Sequence, residues 1–290
     1  MKVLSDIRCN IGEGPIWNDW EGKLYYTNGG GGNALCIYDP KTEAITVRAL
    51  PFGVAAYAFT KENELIVSHA GGVDILNPDH TLSPLYDKAQ YAIEFSNDMK
   101  VGPDGRIYVG TMSKKRKGIS EEIDGKLYSI DKEGNVRILL DGLRLSNGME
   151  WSLDEKKFYH TDSDTSVIRE YFFDKESGDI AYTGREISVP GVDGFTIGSD
   201  GCLYVGCWGR GHVAVVDTKD MVLVRTIEIP AKIPASCGFM GEGMDHLAIT
   251  TADYGSDLEK DPNAGFLLIE KMKVFGRLPY KFGRLNDEKL

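Results

Sequence analysis

The chain lacks most of what would mark a membrane, secreted or nucleic-acid-binding protein. No stretch approaches the roughly 20 consecutive apolar residues that a membrane-spanning helix requires. The opening MKVLSDIRCNIGEG has no apolar core long enough for a signal peptide. Cysteine is sparse: Cys9, Cys36, Cys202, Cys207 and Cys237 are odd in number and have no C-x-x-C spacing. That argues against a disulfide framework and a cysteine zinc site, and for a reducing cytoplasm. Positive charge is short as well. Lys and Arg number 33 against 44 Asp and Glu, a net charge of −11, so a broad basic face for a phosphate backbone is not expected. The five histidines lack H-E-x-x-H spacing, and G-x-S-x-G is absent, which removes the commonest zinc-hydrolase and serine-nucleophile signatures.

What is abundant is glycine, 34 of 290 residues, within an ordinary 42% hydrophobic composition. Many short strands joined by tight turns fit this balance. Six segments repeat: GKLYYTN, NELIVSH, GRIYVGT, KKFYHTD, GCLYVGC and DHLAITT, each after a turn rich in Asp, Glu, Asn or Gly. Their first apolar anchors are Leu24, Leu65, Ile107, Phe158, Leu203 and Leu247, spaced 41, 42, 51, 45 and 44 residues apart. Further strands follow in each unit, separated by turns such as DPKTE and DKEGN. Four strands per unit at this period predict an all-β fold, a six-bladed β-propeller with four-stranded antiparallel blades. Six units use up the chain, so one domain over residues 1–290 is expected. Residues 1–9 are the candidate strand to close the ring. The long gap holds SKKRKGISEEID (113–124), a polar surface loop whose KKRK run could steer anionic ligands.

Polar residues recur at one place. Glu13, Asn97, Asn147 and Asp193 lie 11, 10, 11 and 10 residues before their anchors. Equal offsets mean equal positions in each blade, and the strand ahead of the turn is the expected lining of the central channel. The two remaining units offer Val54 or Ala55, and Ser236 or Cys237. Two carboxylates and two amides suit a hard divalent cation such as Ca²⁺, Mg²⁺ or Mn²⁺, which also relieves the repulsion between the carboxylates. So few ligands leave coordination positions open to water or substrate. His160 is expected to be a packed or hydrogen-bonded histidine, Cys202 and Cys207 small core residues, and Trp151 and Trp208 packing between blades.

The segments GEGPIW (12–17), SNDMKVGPDGRIYVGTM (96–112), SNGMEWSLDEKKFYHTDS (146–163), VDGFTIGSDGCLYVGCWG (192–209) and TTADYG (250–255) resemble the senescence marker protein/regucalcin/gluconolactonase family of calcium-type lactonases. The resemblance spans almost the whole chain. It implies a six-bladed propeller with one divalent metal in the channel: Ca²⁺ first, with Mg²⁺, Mn²⁺, Zn²⁺ or Fe²⁺ as alternatives. It implies Glu13, Asn147 and Asp193 as metal ligands, Asp193 as the base that activates water, and Asn97, Asp98 and Asn147 as substrate-binding residues. The implied partner is a small lactone, a sugar aldonolactone such as gluconolactone; nothing in the sequence demands an oligomer, so a monomer is expected. A non-catalytic cation-binding propeller, and an aryl-ester or organophosphate hydrolase, are the alternatives. The chain departs from the family pattern at Phe95, where some members carry Arg, and at Lys114 and Lys115, where animal proteins place Glu. These differences bear on which substrate fits.

Overall fold

The computed structural model describes residues 1–283; residues 284–290 of the expected domain lie outside the described residues. Six four-stranded antiparallel sheets form the blades of a propeller. The innermost strands are Ile11–Asn18, Val54–Phe59, Ser96–Val101, Ser146–Trp151, Val192–Ile197 and Pro234–Met240, for blades 1 to 6. Blade 6 is closed by the other end of the chain: Lys2–Leu4 pairs antiparallel with Leu267–Lys271. The strand expected within residues 1–9 therefore exists. Closure of this kind ties the two ends of the chain together in one blade.

The repeat arises from local chemistry. Each inner strand turns back into the second strand through a residue with positive φ: Gly22, Asn63, Gly105, Glu155, Gly201 and Met244. Glycine adopts this left-handed backbone without steric cost and Asn tolerates it. The second strand then starts on the anchor, and all six anchors are buried. In three blades the Tyr after the anchor donates its hydroxyl to an acid of its own turn: Tyr25 to Glu21 (2.8 Å), Tyr108 to Asp104 (2.7 Å) and Tyr204 to Asp200 (2.9 Å). The ring thus packs between blades while its polar end is satisfied at the turn.

Trp151 is fully buried between blades 3 and 4, edge-on to Tyr108 with centroids 4.9 Å apart. Trp208 meets Tyr254 at 6.5 Å. Cys207 is buried and Cys202 half-buried, and all five cysteines are free thiols. His160 is buried, bonded to Ser146 Oγ at 2.8 Å and stacked on Phe158. Burial drives its pKa down to about 3, so it is a neutral packing residue.

After Lys271 the chain crosses one end of the channel. Ser199 donates its N–H to the Phe275 carbonyl (2.7 Å), and Lys61 donates to that of Phe282 (2.9 Å). Arg277 reaches Glu150, and Tyr280 donates to Glu155. These contacts lie at the turn end of the inner strands. The other end of the channel carries the repeated polar residues.

A candidate metal centre and active site in the channel

Each inner strand breaks register with its neighbour at one level. The slips fall between Glu13 and Ile16, Val54 and Ala56, Ser96 and Met99, Asn147 and Met149, Val192 and Phe195, and Pro234 and Ser236. A β-bulge kinks its strand and re-aims side chains, and bulges recur next to active sites. Here six of them form a ring. Glu13, Asn97, Asn147 and Asp193 sit at or beside the slip in their blades. In blade 6, Ser236 faces Thr250, three residues past the anchor, the register that Glu13 and Asn147 have in their blades; it is one of the two residues the sequence offsets pointed to. Blade 2, with Val54, Ala55 and Ala56 at its slip, gives the ring an apolar side.

Glycines after the polar residues let the strands approach one another. A Cβ on Gly148 would lie 2.4 Å from the Asp193 carbonyl oxygen, and one on Gly194 would lie 2.2 Å from Ser236 Oγ. The pairs Asn147–Gly148 and Asp193–Gly194 therefore combine a ligand-type side chain with a backbone that only glycine allows.

The site is acidic. Burial is the largest cause raising the Glu13 carboxyl well above its usual range, followed by the charges of Asp193 and Asp98. Burial, opposed by a hydrogen bond from Asn147 and reinforced by Asp98, pushes Asp193 up to about 8. Asp98 is raised by burial against the pull of Lys100. Among the described residues none of these three carboxylates has an ion-pair partner. Asn147 Nδ2 donates to Asp193 Oδ1. Asn97 Nδ2 donates to the Ser146 carbonyl at 3.1 Å, which leaves its Oδ1 for a ligand. Asp98 Oδ1 accepts from the Met99 N–H at 2.8 Å.

Among the described residues no three His, Cys, Asp or Glu side chains are placed to chelate an ion by themselves. A cation held here would draw on Glu13, Asp193 and the Asn147 carboxamide oxygen, with water or substrate completing the shell. The donor set is all oxygen, and its carboxylates repel one another; both properties fit a hard divalent cation.

One level deeper lies a second polar layer that the sequence offsets did not reach. Lys100 Nζ donates to Glu150 Oε2 (2.9 Å) and to the Phe195 carbonyl (2.8 Å), while Arg277 pairs with Glu150 Oε1. Burial raises the Glu150 carboxyl, but Lys100 and Arg277 outweigh it and hold it below its usual range. Lys100 and Glu150 each follow a site asparagine by three residues, so the repeat offsets carried one step further would have found them. Arg277 lies outside the repeat. Toward solvent, a cavity of about 350 Å³ opens over Glu13 and Asn97, with Phe95 and Lys117 also in its wall.

The fold and this axial cluster define a six-bladed propeller with an acidic site at one end of its channel. The chain belongs to the family described as the SMP-30/Gluconolactonase/LRE-like region, whose model matches residues 11–253. It is 29% identical to rabbit (Oryctolagus cuniculus) regucalcin, over 94% of this chain and 95% of that protein. It is also 29% identical to a Bacillus subtilis protein provisionally named a sugar lactone lactonase, over 96% and 97%. Among solved structures, a regucalcin from Agrobacterium tumefaciens superposes with a TM-score of 0.85 at 23% identity, covering 97% of each chain. That last likeness is one of fold.

Proposed function

We propose that this chain hydrolyses a small lactone, of the sugar aldonolactone class, with a divalent cation held by Glu13, Asn147 and Asp193. The observation that carries this reading is the set of three buried carboxylates, Glu13, Asp98 and Asp193, without ion-pair partners among the described residues, the charges of Asp98 and Asp193 raising Glu13 and that of Asp98 raising Asp193. The provisional name of the Bacillus subtilis relative supports the substrate class. Ca²⁺ is the first candidate, and Mg²⁺, Mn²⁺, Zn²⁺ and Fe²⁺ share the preference for such a site to differing degrees.

When bound, such a cation supplies a Lewis acid for the lactone carbonyl, stabilising the charge that develops on its oxygen. The chain's own residues do the rest. Asp193 Oδ1 is engaged by Asn147, so Oδ2 takes the proton of the attacking water. Water's oxygen bonds to the carbonyl carbon, the bond from that carbon to the ring oxygen breaks, and Asp193 returns the proton to the departing ring oxygen. A placed base contributes about 10²–10⁴-fold. Asn97 Oδ1 and Asp98 Oδ2 accept ring hydroxyls. Lys100, Glu150 and Arg277 line the far end of the channel.

The test is acid release from a panel of aldonolactones by chelator-treated protein with single cations restored. Cation-restored turnover supports the reading. Cation binding with no turnover of any lactone, ester or organophosphate would leave a binding propeller, the alternative kept open by relatives named regucalcin.

A further inference from the structure

The basic run 114–117 gives the site its substrate's second feature. It forms one 3₁₀ turn, capped by Ser113 Oγ, which accepts from the Lys115 N–H. Asp124 Oδ1 anchors the loop by accepting from Ser113 Oγ (3.0 Å) and the Lys114 N–H (2.8 Å). The loop is therefore a built element. Three of its four cations are neutralised: Lys114 by Glu94 (3.1 Å), Lys115 by Glu121 (3.7 Å) and Arg116 by Asp164. Lys117 has no carboxylate partner among the described residues, and it is the member of the run in the wall of the cavity over Glu13 and Asn97. In a chain with a net charge of −11, an unpaired ammonium at that place is a specific feature.

The rest of the outer wall offers little competition. His69 lines the cavity, but its Nδ1 accepts from the Gly71 N–H (3.1 Å) and its Nε2 is engaged by Asp74 (2.6 Å). Phe95 adds an apolar face. Its backbone is held in the left-handed region (φ 54°), with its carbonyl accepting from the Met112 N–H at 2.8 Å. An aromatic residue there is strained, and such strain collects at ligand sites. Among the described residues the cavity thus has an oxygen-lined inner end, an apolar side and one free cation. Its volume of about 350 Å³ falls within the roughly 300–1,000 Å³ of small-molecule sites.

We propose that the substrate is a lactone carrying an anionic group remote from its carbonyl, a carboxylate or a phosphate ester, and that Lys117 binds this group. The inference rests on the lactonase reading and narrows it. Hydrolysis is as written above: water adds across the ring ester and the anionic group is unchanged.

The experiment compares kcat/KM of the full-length, cation-loaded protein for three lactones: a neutral aldonolactone, an aldaric acid lactone and a phosphorylated aldonolactone. Calorimetric binding of the corresponding ring-opened acids is measured in parallel. At least one anionic lactone is expected to be preferred by about tenfold or more, chiefly through KM, as a charge-assisted contact provides. The two anionic arms tell carboxylate from phosphate. Lys117→Met should bring the anionic-to-neutral ratio close to one and weaken binding of the anionic acid about tenfold; Lys117→Arg should restore both. Equal kcat/KM for neutral and anionic lactones in the unaltered protein, or a preference that survives Lys117→Met, overturns the proposal. If no lactone is turned over, Lys117-dependent binding of an anionic sugar acid sustains the anchor while the lactonase reading falls. Loss of that binding as well overturns both.

Discussion

Replacing Asp193 by Asn should make the chelator-treated protein more stable. Asp193 is buried, and its carboxyl is pushed from an ordinary 3.8 up to about 8. A group whose folded pKa is raised stabilises the fold below its unfolded pKa. That contribution is lost as pH rises from about 4 to about 8. The gap of some four pH units corresponds to on the order of 5 kcal/mol of unfavourable charging by pH 8. Relaxation and water entering from the cavity will reduce this, so a gain of about 1–3 kcal/mol is expected for the isosteric Asn, which keeps an acceptor for Asn147 Nδ2. For a chain of this size that is about 2–5 °C in Tm. The assay is thermal unfolding in chelator across pH 4.5–8.5, repeated with added Ca²⁺. The unaltered protein should lose Tm as pH rises in chelator and regain it with cation, the regain growing with pH. Asp193→Asn should start higher, vary less with pH and respond little to Ca²⁺. A lower Tm than the unaltered protein in chelator at pH 8, with an undiminished Ca²⁺ response, would refute the electrostatic argument.

Other outcomes follow from the same contacts. Glu13→Gln should stay folded by circular dichroism but lose cation-induced stabilisation and at least about 10²-fold of lactone turnover. Glu150→Ala leaves Lys100 and Arg277 without their carboxylate and should cost about 3–5 kcal/mol in urea unfolding, the usual penalty for breaking a buried pair; a loss under 1 kcal/mol would contradict the role given to this layer. His160, held neutral with a pKa of about 3, favours the unfolded state increasingly as pH falls from about 6.5 toward 3, because the unfolded chain takes up the proton first. His160→Gln should therefore shift the acid-unfolding midpoint to lower pH, and an unchanged midpoint would count against that assignment.

The blade count and the four polar channel residues were readable because both obey the repeat. An anchor and a left-handed turn recur in every unit, so Glu13, Asn97, Asn147 and Asp193 could be aligned by subtraction. The bulges that aim them were not readable, since one extra residue leaves the apolar pattern nearly intact. The chain segment across the channel end carries no repeat, and only the fold brings Arg277 to Glu150. That Lys117 has no carboxylate partner among the described residues was equally hidden. KKRK reads as four equivalent cations until Glu94, Glu121 and Asp164 claim three of them, and two of those acids lie outside the 113–124 loop.

The proposed lactone hydrolysis requires a divalent cation held by the channel carboxylates. Its most direct measurement is proton release from sugar lactones by protein stripped with chelator, followed by addition of Ca²⁺, Mg²⁺, Mn²⁺ or Zn²⁺ one at a time. Background rates are expected after stripping and restoration by at least one cation, with Glu13→Gln and Asp193→Asn unrestored by any. Full turnover in the stripped protein, or restoration in both variants, would contradict it.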